Sequence, residues 1–227
     1  MDIKLMNITK KFKSVDNIFI KSLDTINLDI NYGNYLSFVG PSGSGKSTLL
    51  KILTSNMTPN SGDVFWGKYR LSNTSQKEIA YMRRTKFGII FQDNQFLNEL
   101  SVEDNILLPL AISSYPVGQK HKYYNTLMES LNITSLKKRH PFELSGGEKK
   151  KVSIARSLIN SPEILVADEP TANLDEASAR EVFNIFSNLN KLGLTIVIAT
   201  HDERFGKYCK ETYYLSEGKI VSFKGNS

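Results

Sequence analysis

The stretch "GPSGSGKST", residues 40–48, is the first in this chain whose residue types and spacing could do chemistry. It fits the pattern G-x-x-x-x-G-K-[ST], follows the apolar run "LSFVG" and opens the helix-like run "KSTLLKILTS". In that context Gly40, Gly43 and Gly45, with Pro41, Ser42 and Ser44 between them, let backbone N–H groups converge on phosphates. The helix that follows adds positive potential. Lys46 can then reach terminal phosphates, and of the hydroxyls that follow, Ser47 and Thr48, that of Ser47 is placed for a Mg2+ ion. A second apolar run, "ILVADE" at 164–169, ends in two carboxylates. Asp168 can hold the metal shell, and Glu169 can act as general base or orient a water for hydrolysis. Taken alone, Glu169 could equally be a strand-end carboxylate capping the next turn; its neighbours favour the hydrolytic reading. A third stretch, "LSGGEKKKVSIARSL" at 144–158, starts a helix with a Ser-Gly-Gly turn. Ser145, Gly146 and Gly147 form a second place fit for a phosphate. The chain thus holds two phosphate cradles and one lysine suited to serve them.

These residues need elements to position them. "LSFVG" (36–40), "FGIIFQ" (87–92), "EILVADE" (163–169) and "LTIVIATHD" (194–202) read as buried strands that end in glycine or polar residues. With helical stretches such as "EASAREVFNIFSNLNKL" between them, they predict an α/β fold with a mostly parallel sheet covered by helices. Ligands of such sheets sit at the carboxyl ends of the strands, where Gly40, Gln92, Asp168 with Glu169, and His201 all fall. Residues 93–160 lack strand-like runs and show helical spacing, which predicts an inserted helical subdomain; residues 1–92 and 161–227 form the core of one domain. The first 30 residues, with "MNITKKF" and "LDTINLDI", predict short antiparallel strands.

Composition narrows the classes. The chain has 227 residues, 40% hydrophobic and 23% charged, as in a soluble domain with a sizeable core. Its longest apolar stretch, "NILLPLAI", is far short of the ~18 residues of a membrane span. "MDIKLMNITKKFK" has no apolar core of a secretory signal. The one cysteine, Cys209, excludes a disulfide framework and points to a reducing compartment. A net charge of +6 allows nucleic acid or anionic lipid as partner. The basic clusters are short, however, and a lysine-rich solvated surface is the favoured reading. "KKRH" at 137–140 and "KKK" at 149–151 border the Ser-Gly-Gly turn, so nucleotide attraction accounts for part of the charge.

The order of the motifs is itself informative. "GPSGSGKST", Gln92 after an apolar run, "LSGGE" (144–148), "ILVADEP" (164–170), "NLD" (173–175) and "ATHD" (199–202) follow one another across essentially the whole chain. Together they resemble the nucleotide-binding subunit of an ATP-binding cassette (ABC) transporter. The resemblance implies a P-loop NTPase (RecA-like) core with an N-terminal antiparallel portion and an inserted helical subdomain. It also implies the reaction ATP + H2O to ADP + phosphate, with Mg2+, and a homodimer in the ATP-bound state. In that dimer Ser145, Gly146, Gly147 and Glu148 of one copy close on ATP held by the lysine loop of the other, which accounts for two cradles and one lysine. Gln92 contacts Mg2+ and the attacking water and senses a membrane partner, His201 contacts the γ-phosphate, and Asp175 reaches across the dimer. Phe12 stacks on adenine, where tyrosine is usual and phenylalanine keeps the stacking face. Asp175 is also a plausible N-cap for "EASAREVF", alongside its dimer role, and Phe12 has an alternative as core packing. Glu148 and Lys149 to Lys151 replace a more usual Gln/Arg run, and Ala172 stands where glycine is frequent.

A transporter reading requires a transmembrane permease on a separate chain and a place at the cytoplasmic face of the cell membrane, with no nucleic acid expected. Phe96, Leu97 and Leu100 are placed either to line a permease groove or to pack the core of the insert. Within the family, "IFQDNQFLNELSVEDNILLPL" and "ADEPTANLD" resemble the group serving macrolide export, lipoprotein release, cell-division signalling and bacitracin-type resistance. Chromosome-maintenance and break-repair ATPases share the Ser-Gly-Gly signature but need a long coiled coil between Gln92 and Ser145, for which the interval is too short. Cassette translation factors carry two sets of motifs, and a P-loop kinase leaves Ser145 to Gly147 and His201 unexplained. The surviving alternative is a soluble cassette ATPase with a cytosolic or nucleic-acid partner, for which salt-sensitive nucleic-acid binding is the mark.

Overall fold

A computed structural model describes residues 1–13, 17–112 and 120–225. The end of "KKFKSVD" and part of the expected helical insert lie outside the described residues. The chain opens with two long strands, β1 (Ile3–Lys13) and β2 (Phe19–Ile30), paired antiparallel. They are 11 and 12 residues long, not the short pieces that the sequence suggests. The reason is bulging: Asn7 and Thr25 take left-handed φ of 52° and 57° at breaks in the register. Each bulge inserts one residue and so keeps Ile3, Leu5 and Ile8 inward against Leu23, Ile26 and Leu28, although the plain alternation is broken.

Next come β3 (Tyr35–Val39), α1 (Lys46–Leu53), β4 (Ser61–Trp66), β5 (Tyr69–Arg70), α2 (Gln76–Lys86) and β6 (Phe87–Ile90). The sequence reading is silent on residues 61–86. There α2 starts with a capping box, in which Ser75 and Glu78 each take the other's backbone N–H. Among the described residues of 93–160, the α-helices are α3 (Val102–Ile112), α4 (Lys120–Ser130) and α5 (Gly146–Leu158). The chain then runs through β7 (Ile164–Asp168), α6 (Glu176–Lys191), β8 (Thr195–Thr200), β9 (Glu211–Ser216) and β10 (Lys219–Gly225). The last two form a hairpin whose turn, Glu217-Gly218, has positive φ at both residues.

The strands build two sheets. One, in the order β2-β1-β4-β5, is antiparallel; the other, β10-β9-β3-β8-β7-β6, is parallel except for its edge hairpin. Along β3, β7 and β8 successive residues feed two different cores. Leu36, Phe38, Ile164, Val166, Val197 and Ala199 pack with α1 and the antiparallel sheet. Tyr35, Leu165, Ala167, Ile196 and Ile198 pack with α3, α5 and α6. A parallel sheet buried on both faces requires this unbroken apolar run, with side chains alternating between the two cores. The sandwich of antiparallel sheet with α1, parallel sheet, and helical layer is the α/β architecture that the motifs imply.

α1 is tied to this frame at its C-terminal end. The fully buried Trp66 donates its indole N–H to the Leu53 carbonyl at 3.0 Å, and its ring lies 4.6 Å from that of Phe87. Leu53 is the last residue of a helix, where carbonyls lack an intrahelical partner. Trp66→Phe leaves that carbonyl unpaired and a small void, and is expected to cost about 1–3 kcal/mol in urea unfolding. Unchanged stability would show that the indole bond contributes nothing to holding α1.

Candidate functional site

At the carboxyl ends of the parallel strands the register does the positioning. Val39 on β3 stands opposite Thr200 on β8, Asp168 on β7 opposite Ala199 on β8, and Ile90 on β6 opposite Ala167. The residues that follow each strand therefore emerge side by side. A cavity of about 550 Å³ opens there, lined by Ser42 to Thr48, Gln92, Glu169, His201 and Ser22 of β2.

The loop before α1 is shaped by glycine. Gly45, the N-cap of α1, has φ 104°, and a Cβ there would lie 2.4 Å from the Ser22 carbonyl oxygen. No other residue fits that turn, which aims the first N–H groups of α1 at the cavity. Lys46 is 6% exposed and donates its ammonium to the carbonyl oxygens of Gly40 and Pro41 at 2.7 and 2.9 Å. Burial lowers its pKa, opposed by the carboxylates of Glu169 and Asp168. Ser47 donates its hydroxyl to Asp168 Oδ1 at 3.0 Å. Burial raises the Asp168 pKa; the Ser47 bond and Lys51 and Lys46 act the other way.

Glu169 is the strained member. Its φ of 45° is unusual for a residue with a side chain, and the strain is set against four groups that hold it. Its backbone N–H donates to the Ala199 carbonyl at 2.8 Å. Its carboxylate accepts from the Thr200 hydroxyl at 3.1 Å and from the His201 backbone N–H at 3.1 and 3.3 Å. His201 Nδ1 lies 2.9 Å from Oε2, with the imidazole 67% exposed and the carboxylate only 12%. One carboxylate is thus fixed on the wall of the cavity, with an exposed imidazole beside it.

The second cradle lies elsewhere. Ser145 caps α5 and closes a box with Glu148: its hydroxyl oxygen accepts from the Glu148 N–H at 3.3 Å, and Glu148 Oε2 accepts from the Ser145 N–H at 2.8 Å. That backbone bond holds the Glu148 carboxyl below the usual range. Asp175 caps α6, accepting from the Ser178 N–H at 2.9 Å and its hydroxyl at 2.8 Å, and its pKa is lowered by the same bonds. The two helix starts touch: a Cβ on Gly147 would stand 3.0 Å from Ser178 Oγ. Ser145 and Gly146 are exposed, and none of Ser145 to Glu148 or Asp175 lines the Lys46 cavity. Phe12, 42% exposed on β1 beneath the Lys10 ammonium, also stands outside the cavity lining.

The structure brings together Lys46, Ser47, Asp168, Glu169, His201 and Gln92. It adds two residues that the sequence reading passes over. Ser22 donates its hydroxyl to Thr48 Oγ1 at 2.9 Å, and Thr200 holds Glu169. Thr200 had a signal, its place between an apolar strand and His201; Ser22 had none, since only the packing of β2 against the loop brings it near.

Comparison with known proteins identifies the family and the fold. A model of the family described as ABC transporter matches residues 23–172. The lipoprotein-releasing system ATP-binding protein LolD of Blochmanniella floridana is 41% identical over 216 residues, 94% of this chain and 91% of that protein. The macrolide export ATP-binding/permease protein MacB of Burkholderia thailandensis is 36% identical over 224 residues, 99% of this chain but 34% of that protein. Among solved structures, a dimeric post-hydrolysis state of the ATP-binding cassette MJ0796 bound to ADP and Pi superposes with a TM-score of 0.90. It has 31% identity over 98% of both chains. The chain belongs to the ABC transporter family, and its fold is that of the family's ATP-binding cassettes.

Proposed function

We infer that the protein binds and hydrolyses ATP as a subunit that drives a separate transmembrane permease. The observation that carries the reading is the convergence, at the ends of three adjacent strands, of a buried lysine, a helix N-terminus and two carboxylates of different environment. The N–H groups of the loop and of α1, with Lys46, bind the triphosphate. Ser47 Oγ, Asp168 and the Gln92 side chain form a small set of hard oxygen donors, which suits a Mg2+ ion that keeps waters and takes phosphate oxygens as further ligands. The ion, when bound, offsets phosphate charge. Glu169 accepts a proton from, or orients, the attacking water; Thr200 and the His201 N–H hold its carboxylate in place, and His201 reaches the γ-phosphate.

The exposed starts of α5 and α6 supply the second half-site, closing in a head-to-tail homodimer on ATP bound to the other copy. Two symmetric copies then use each patch twice. Residues 93–160 act as the signature subdomain between core segments 1–92 and 161–227. For the permease, the structure offers a groove of about 540 Å³ with Phe91, Leu108, Pro109 and Ile112 among its lining and Arg83 and Arg84 at hand. This groove is distinct from the Phe96, Leu97 and Leu100 surface suggested by the sequence: Phe96 packs against the helical core under Arg156. Among the described residues no helix is long and apolar enough to cross a membrane; in this reading the permease holds the chain at the cytoplasmic face of the membrane. Lipoprotein release and macrolide export, named in the relatives, support export, extraction or mechanotransmission as the class of process.

Three variants test the assignment. Lys46→Ala is expected to weaken ATP binding by ~10–100-fold in calorimetry, the value of a charge-assisted contact; unchanged affinity refutes its role. Glu169→Gln is expected to retain ATP and accumulate a dimer in size-exclusion chromatography while turnover falls below ~1%. A monomer hydrolysing at the normal rate would sink the mechanism. Ser145→Ala loses an N-cap, at about 1 kcal/mol of stability, yet is expected to bind ATP normally as a monomer and to hydrolyse it at least ~10-fold more slowly. Normal turnover excludes the second half-site.

A further inference from the structure

The segment after β6 touches both cavities: Gln92 lines the nucleotide pocket and Gln95 lines the groove. It belongs to no helix or strand, and Gln95 is held at a left-handed φ of 49°. A residue with a side chain stays there only when its surroundings impose it. The imposition comes from α5. Arg156 donates one guanidinium N–H to the Gln95 carbonyl at 2.8 Å and another to the Asn94 carbonyl. Its guanidinium stacks over the Phe96 ring, 4.8 Å from the centroid. A rigid planar fork holds two carbonyls in one fixed geometry and stacks on a ring at the same time, which a rotatable ammonium on a flexible stem does less strictly. Lys150, also on α5 and 3% exposed, has Asp93 as the carboxylate acting on it. Lys150 and Arg156 of α5 are therefore both turned to one short loop.

We propose that Arg156 is a positioning residue for hydrolysis: by clamping the Asn94 and Gln95 carbonyls it fixes the loop that presents Gln92 to the nucleotide. The proposal rests on the reading of Gln92 as part of the hydrolytic site, and it assigns a task to a residue that does not itself reach the pocket.

The test uses the full chain with Arg156→Met and Arg156→Lys, each alone and combined with Gln92→Ala. ATP affinity, kcat at saturating ATP, and amide hydrogen exchange are measured. Arg156→Met is expected to lower kcat by ~10–100-fold, as small misplacements do, while ATP affinity shifts by less than ~3-fold. Exchange at residues 92–96 rises by ~10-fold with α5 unchanged, since only the loop is released. Arg156→Lys falls between the wild type and Arg156→Met. In the Gln92→Ala background the second substitution adds little, because it acts through Gln92. An equal kcat loss in both backgrounds overturns the proposal, as does unchanged exchange in the loop. Faster exchange throughout α5 marks a purely structural role and overturns it too. Wild-type kcat in Gln92→Ala alone removes the reading of Gln92 itself, while the exchange data report separately whether the clamp exists.

Discussion

The register of β3, β8 and β7 is the constraint on which the rest depends. It sets Val39 level with Thr200 and Asp168 level with Ala199, and so delivers the lysine loop, the two carboxylates and His201 to one edge. Register here is not a local choice. A slip of one residue would exchange the two faces of a strand, sending Leu165 toward α1 and Val166 toward α6. Each face is filled by side chains of a different set of elements, so the core penalises any slip on both sides at once. Positional accuracy at the site is therefore a by-product of a double-sided core, which is why polar residues can be placed at strand ends without bonds to every neighbour.

Burial then sorts the charges. Lys46 and Asp168 are both pushed toward neutrality by desolvation, and each is drawn back by the other's charge. The pair makes a site that is uncomfortable until a polyanion and a counter-ion share it, which favours binding of both together over either alone. Glu169 is held differently: the Thr200 hydroxyl and the His201 N–H donate to its carboxylate and fix its orientation. Two adjacent acids thus stand in different surroundings, one bonded to Ser47 of the lysine loop and one to the end of β8. Glu169 lies just past the end of β7, and its left-handed backbone marks the point where the chain leaves the strand.

Much of this was legible in the chain because it is local. The loop at Gly40, the strand ending at Asp168 and the helix starts at Ser145 and Asp175 each declare themselves within a few residues, through glycine, capping chemistry or an apolar run. What was not legible is tertiary. Ser22 enters the pocket only because β2 lies against Gly45. The true length of β1 and β2 was hidden by bulges at Asn7 and Thr25, which break the period that a strand is recognised by. Residues 61–86 contain an edge hairpin and a helix of low apolar content, and α2 shows itself only by its capping box. Arg156 sits in "SIARSL" as an ordinary charge on an amphipathic helix; that it faces two carbonyls of a distant loop depends on how α5 packs against the segment after β6.

The Ser-Gly-Gly turn shows how one sequence can satisfy two demands. Glycine at 147 is favoured within the chain, because Ser178 Oγ leaves little room for a Cβ, and Ser145 serves as the cap of α5. Neither fact refers to a ligand. The capping box, however, uses Ser145 as an acceptor, through its hydroxyl oxygen, and occupies its own N–H with Glu148. The hydroxyl proton and the first-turn N–H groups of Gly146 and Gly147 remain as donors, on residues whose backbone nothing covers at Ser145 and Gly146. An anion needs donors, and a cap needs an acceptor. The two roles draw on different atoms of the same turn, so the second half-site proposed for it needs no unfolding of the cap.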